Sequence, residues 1–247
     1  MNNFNEELWM FLEKISNGEH FALSRFGDGE LTVINKKEFD VKYNWSGTTD
    51  KEFSYKINNS KYEFSRKLLE ESYLSDLDGY YKGIPCHCCQ LGNKAKELFY
   101  KIENKKYLTW ANIFVNGNYA DFNNYLPSVL EGKKIIMVSN ENSNVKALPF
   151  KVLEHIKIKE NAWVDNLEEI ENIKDIIDVY ELSDVVVLIA GGPFANIAIH
   201  QLWKWSQNNT YIDIGSTLDV YLYGKHTRMY HAENNPMHHK QCIWLDE

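Results

Sequence analysis

Apolar positions recur at helical spacing near the start of the chain, where Phe4, Leu8, Phe11, Leu12 and Ile15 share one face of residues 4–17 and Gly18 supplies a stop. The period then shortens. Phe21-Ala22-Leu23 is a strand-like run ending near Arg25, and residues 28–34 open a short helix. Residues 36–60 are polar, rich in Lys, Asn, Ser and Thr, with Tyr43, Trp45 and Phe53 interspersed; this predicts a long loop or lid. An amphipathic helix follows over 61–74, with Phe64, Leu68, Leu69 and Tyr73 on one side. A strand over 80–84, a helix from about 93 to 101 and a strand over 108–115 come next. The last exits through Asn116-Gly117-Asn118-Tyr119, which has strong turn chemistry.

The second half is patterned more sharply. Residues 134–139 form a buried parallel-type strand, followed by a helix through Leu148 and Leu153. Asp184-Val185-Val186-Val187-Leu188-Ile189-Ala190 is the strongest strand signal. It runs into Gly191-Gly192-Pro193 and a helix carrying Ile197, Ile199, Leu202 and Trp203, with proline placed in the first turn. Residues 210–215 make a further short strand. Strands alternating with helices predict an α/β, Rossmann-like fold with a mostly parallel central sheet and helices on both faces. No repeat or clear linker divides the 247 residues, so one domain is expected, with a polar tail over 225–247.

Composition narrows the partners. A formal net charge of −8 argues against a nucleic-acid groove or an anionic membrane as the main partner. No apolar stretch approaches the roughly 20 residues that cross a bilayer. The polar N-terminus carries no signal-peptide core, and a cytoplasmic protein is expected. A homo-oligomer is left open. Cys86, Cys88 and Cys89 crowd into Pro85-Cys86-His87-Cys88-Cys89. Their C-x-C-C spacing departs from the C-x(2–4)-C pairs of zinc sites, and no second pair follows, so they read as buried thiols. His226, His231, His238, His239 and Cys242 in the tail fit no standard metal spacing.

Candidate chemistry gathers at strand exits, where open α/β sheets bind ligands. Asp28 and Glu30, on a tight glycine turn after Arg25, suit a hard divalent cation that holds a diphosphate. The same acids also suit the first turn of a helix, where they complement its dipole. Gly191-Gly192-Pro193 offers either an anion site at a helix start or a plain βα turn. Asp213 ends a strand as a candidate for ribose, metal or base duty, or as a helix cap. Ser139-Asn140-Glu141-Asn142 adds a polar turn at the same edge.

Ser24-Arg25-Phe26-Gly27-Asp28-Gly29-Glu30 resembles the N-terminal signature of the GT-D type glycosyltransferases. Gly191-Gly192-Pro193 and Tyr211-Ile212-Asp213-Ile214-Gly215-Ser216 are similar to later segments of that group, as is the asparagine-rich stretch 112–119. The resemblance spans residues 20–220, and only its first motif is specific. It implies a Rossmann-like enzyme that moves a sugar from a nucleotide-sugar, UDP-linked by preference, to a glycan or other hydroxyl acceptor. It further implies Mn²⁺ or Mg²⁺ held by Asp28 and Glu30, with Arg25, Gly27, Gly29, Gly191 and Gly192 around the donor phosphates. Glu30 or Asp213 would serve as base. Two alternatives stand beside it: a Rossmann methyltransferase, which needs no metal, and a non-catalytic nucleotide- or sugar-binding module.

Overall fold

The computed structural model describes residues 3–40, 53–86, 88–89 and 105–243. The chain begins with α1 (Phe4–Asn17), β1 (Ala22–Arg25), α2 (Asp28–Ile34), β2 (Phe39–Asp40), β3 (Ser54–Tyr55), α3 (Ser60–Leu74), β4 (Tyr80–Ile84) and β5 (Leu108–Trp110). It continues with α4 (Tyr119–Leu130), β6 (Lys134–Asn140), β7 (Glu154–Ile158), α5 (Ala162–Asp165) and α6 (Glu169–Val179). Then come β8 (Val185–Ile189), α7 (Pro193–Trp205), β9 (Thr210–Asp213) and α8 (Asp219–Tyr223). Among the described residues, seven strands form one sheet in the order β5-β4-β1-β9-β8-β6-β7, every ladder parallel, while β2 and β3 pair as a separate antiparallel ribbon.

The apolar runs explain the layers. Strands buried on both faces need apolar residues at successive positions rather than at alternate ones. In β8, Val185, Val187 and Ile189 enter one core while Val186 and Leu188 enter the other, and β6 divides Ile136 and Val138 from Ile135 and Met137 in the same way. The first core is roofed by α2, α3, α5, α6 and α7, the second by α1, α4 and α8. Helices therefore cover both faces, as expected. The start of α1 is fixed by a capping box between Asn3 and Glu6, and its end by Gly18 in the left-handed region at φ 70°. Among the described residues no helix is long and apolar enough to cross a membrane.

Several local expectations are corrected. The helix through Leu148 and Leu153 does not form: a 3₁₀ turn at Val145–Ala147 leads to an extended Leu148 and then to β7. Pro149 is the physical reason, because it lacks a donor and disfavours helical geometry at the residue before it. In α3 the inward face carries Ser65, Arg66, Leu69, Ser72 and Tyr73, and Phe64 points outward at 59% exposure. Arg66 lies buried there between Glu63 and Glu70, and the ion pairs offset its burial. The strand expected over 108–115 ends at Trp110, and α4, α5 and α6 carry no expectation above. Residues 41–52, with Tyr43 and Trp45, and the helix expected over 93–101 lie outside the described residues.

The supposed tail is packed. Residues 225–243 fold back over the β9 exit through 3₁₀ turns at Met229–His231 and Pro236–His239, burying Tyr230, His231, His238 and Cys242. His231 Nδ1 accepts from the amides of Thr227 and Arg228 at 3.1 and 3.3 Å, so Nε2 carries the proton and donates to the Ser216 carbonyl at 3.0 Å. Burial pushes its pKa down to about 4. The unfolded ring titrates near 6.5, so this stabilisation is fully present above that pH and lost as pH falls from about 6.5 toward 4. His231→Gln, which does not titrate, is expected to remove about 2 kcal/mol of the stability difference between pH 6.5 and 5 seen in urea denaturation of the wild type. An unchanged pH dependence in the variant would refute the buried neutral imidazole.

Candidate active site

The site forms where β1 and β9 part. β1 pairs with β9 only over Ala22 and Leu23, while it pairs with β4 over all four of its residues. The chain leaves β1 toward β4, whereas it reaches β9 from β8 on the other side, so the strand order reverses between them. Such a switch point opens a crevice at the carboxyl edge. Side chains bridge the divergence. Arg25 Nε donates to the Asp213 carbonyl at 2.8 Å and Nη2 to Asp213 Oδ1 at 3.4 Å, while the Arg25 amide donates to Oδ2 at 3.2 Å. Nη1 donates to the Ala111 carbonyl at 3.2 Å, and the guanidinium lies over the Phe114 ring.

Asp213 thus accepts on both oxygens, Oδ1 also receiving the Gly215 amide at 2.9 Å. Burial raises its pKa, and Arg25 with the two amides pulls it partly back. Gly215 has φ 49°, and a Cβ there would lie 2.2 Å from Arg25 Nη2, so only glycine allows the guanidinium this close. From the other side, Asn196 of α7 donates to Ser24 Oγ at 2.9 Å and to the Arg25 carbonyl at 3.0 Å.

Asp28 and Glu30 occupy the first turn of α2, one turn beyond Arg25. Glu30 Oε2 accepts from the Gly27 amide at 3.0 Å, which closes a capping interaction, and Asp28 Oδ1 accepts from the Gly29 amide at 3.0 Å. Burial raises the Asp28 pKa, only partly offset by the Gly29 amide and its own. The β8 exit meets this turn: a Cβ on Gly192, itself at φ 53°, would lie 3.9 Å from Glu30 Oε1 and 3.4 Å from the Phe53 ring. The same ring packs against Gly29. Phe53, from the end of the expected lid segment, therefore spans the β1 and β8 exits.

The structure thus draws the sequence-predicted residues into one region. Arg25 joins Asp213, and Glu30 joins Gly27 and Gly192, with Asp28 and Gly29 between them. Gly191 packs against Ile158 and Phe194. The 139–142 turn is held by β7, Ser139 Oγ pairing with His155 Nε2 at 3.0 Å and the Glu141 amide donating to the Ile158 carbonyl at 2.9 Å, while Asn140 Oδ1 accepts from the amide and side chain of Asn142. A cleft of ≈ 680 Å³ lined by Lys133, Lys134 and Lys151 lies at the opposite, amino edge of the sheet. Sequence reasoning missed Asn196 and Phe53. A lone Asn in the otherwise apolar first turns of α7 was the available signal for Asn196; for Phe53 it was only its place among the aromatics of the expected lid, which did not point to the Gly29 and Gly192 turns.

Three parallel strands whose exits carry an Asp-x-Glu turn, a Gly-Gly-Pro turn and a buried aspartate can be compared with known proteins as a unit. A family model described as the GT-D fold-like domain matches residues 6–221. The chain belongs to the GT-D-like family. The resemblance read from Ser24 to Glu30 therefore holds across most of the chain, and the protein is a glycosyltransferase by family. Solved structures agree at the level of fold. "A New Glycosyltransferase (DUF1792) from Streptococcus sanguinis" is 16% identical, with 100% of this chain and 94% of that chain covered at a TM-score of 0.62. A structure described as "The highly conserved domain of unknown function 1792 has a distinct glycosyltransferase fold" is 15% identical over 96% of this chain and 90% of that one, TM-score 0.58. No curated protein matches this GT-D-like chain.

Proposed function

We propose that the chain transfers a glycosyl group from a nucleoside-diphosphate sugar, UDP-linked by preference, to a hydroxyl acceptor, with Mn²⁺ or Mg²⁺ held by Asp28 and Glu30. The observation that carries this reading is the convergence of the Asp28-Gly29-Glu30 turn with the Gly192 turn beside the switch point. The donor set fits such an ion, because carboxylate oxygens suit hard cations. Two side chains leave most of the coordination to the diphosphate and water, as is usual for Mg²⁺-type sites. When bound, the ion would neutralise charge on the diphosphate leaving group.

The remaining roles belong to the chain itself. Arg25 has three of its five N–H groups committed to Asp213 and Ala111, and its positive charge at the crevice wall attracts phosphate. Asp213, with both oxygens accepting and 5% exposure, orients Arg25 rather than taking a proton from the acceptor. Glu30 would meet the acceptor hydroxyl or the cation. Phe53 shields the turn from water, which limits hydrolysis of the donor.

A thermal-shift series with UDP-, GDP- and CMP-sugars, each with and without Mn²⁺, tests the reading. A UDP-sugar at about a hundred times its Kd should add about 2.7 kcal/mol, a rise of roughly 5–10 °C in Tm, only when Mn²⁺ is present. Stabilisation by S-adenosylmethionine alone would overturn the proposal in favour of the methyltransferase.

A further inference from the structure

The four cysteines do not behave as scattered buried thiols. Cys86, Cys88 and Cys89 lie just after β4, and Cys242 arrives from the C-terminal segment. All four Sγ atoms lie within 4.8 Å of one another, with Cys86 and Cys88 at 3.5 Å, and none is in a disulfide. Four sulfurs at about 2.3 Å from one central ion would stand about 3.8 Å apart at the corners of a tetrahedron. The observed spread matches one ion; a multi-iron cluster holds its thiolates further apart. The C-x-C-C reading missed that Cys86 and Cys89 themselves stand at C-x2-C spacing, with Cys88 inserted between them. The fourth ligand comes from the far end of the chain, so no second pair appears in the sequence.

The surroundings favour thiolates over thiols. Asn112 Nδ2 lies 3.5, 3.3 and 3.6 Å from the sulfurs of Cys86, Cys89 and Cys242, and Asn116 Nδ2 lies 3.4 Å from Cys242. Asn116 is 3% exposed, so its amide is buried against sulfur. The Ile243 amide donates to Cys88 Sγ at 3.3 Å, and Lys240 Nζ, anchored on the Cys88 carbonyl at 2.7 Å, brings a positive charge. N–H donors and a cation around sulfur stabilise negative charge there, as outer-sphere partners of metal thiolates do.

We propose that Cys86, Cys88, Cys89 and Cys242 form a tetrathiolate site for one structural Zn²⁺ ion. Four protein ligands close the coordination shell, so the ion braces rather than catalyses. It ties the C-terminal segment to the loop after β4, and Asn112 and Asn116 attach the loop after β5 to the same sulfurs. The second of these loops carries the Ala111 carbonyl that accepts from Arg25 and the Phe114 ring beneath its guanidinium. Zn²⁺ is the fit because it is redox-inert and prefers tetrahedral sulfur.

The test is elemental analysis and thiol counting on the full chain purified in reducing buffer without added metal. One zinc per chain is expected, with the thiols reacting only after a chelator is added. Replacing the metal with Co²⁺ should give the intense visible ligand-field bands of a tetrahedral tetrathiolate. Cys242→Ser should lose the ion, and Asn112→Ala, which keeps all four ligands, should weaken Zn²⁺ binding about 10–100-fold. Stoichiometric iron or copper, two disulfides, or a wild-type chain that develops no tetrathiolate cobalt spectrum would each overturn the proposal. The cobalt spectrum needs no variant to fold, and no readout depends on sugar transfer.

Discussion

Asp28→Asn is expected to lower glycosyl transfer by at least about a thousandfold, or about 4 kcal/mol of transition-state stabilisation, while leaving the protein as stable as before. The two halves of this expectation share one cause. Burial raises the Asp28 pKa, so its ionised form is disfavoured in the folded state. The sign follows: a carboxylate with a raised folded pKa favours folding only below its unfolded pKa near 3.9, and that contribution is lost as pH rises through the folded value. At neutral pH the charge therefore opposes folding. The helix dipole at the start of α2 returns about 0.3–1 kcal/mol. Asparagine keeps the oxygen that accepts from Gly29 and removes the charge. Turnover measured as UDP release with Mn²⁺, alongside calorimetric unfolding, separates the readings. Full turnover together with a loss of stability would mean that Asp28 is only a helix cap.

How far the sequence foretold this site depends on where each residue sits in the sheet. β8 and β6 lie inside the sheet with partners on both sides, so they show as apolar runs, and their exits could be placed. β7 lies at the edge with one partner, and Glu154, His155 and Lys157 are not buried. Its five residues therefore carry only two buried apolar positions, Ile156 and Ile158, and the run hides behind Pro149. The Asp28-Gly29-Glu30 turn was legible because glycines and acids are local signals. The Arg25–Asp213 bridge was not, since it spans 188 residues and exists only because β1 and β9 diverge. Asn112 fell inside the strand expected over 108–115, and Asn116 read as a turn residue. Their amides face sulfurs contributed by two distant segments, which no local pattern encodes.

Arg25→Met is expected to destabilise the fold by about 3–5 kcal/mol and to lower Tm by roughly 10 °C. Side-chain exposure is 11% for Arg25 and 7% for Asp213, so solvent screens the pair weakly. Methionine fills much of the arginine stem but leaves the Asp213 carboxylate buried without its cation. It also removes the donors that satisfy the Asp213 and Ala111 carbonyls. Burial already raises the Asp213 pKa with Arg25 present, and losing Arg25 raises it further. The deficit of the variant should therefore shrink as pH falls and Asp213 takes up a proton. Adding Asp213→Asn removes the stranded charge, so the double variant should be more stable than the sum of the single effects implies, with a coupling of about 1–3 kcal/mol in a double-mutant cycle. Additive single effects, or a deficit independent of pH, would show that β1 and β9 are held at the switch point by their backbones alone.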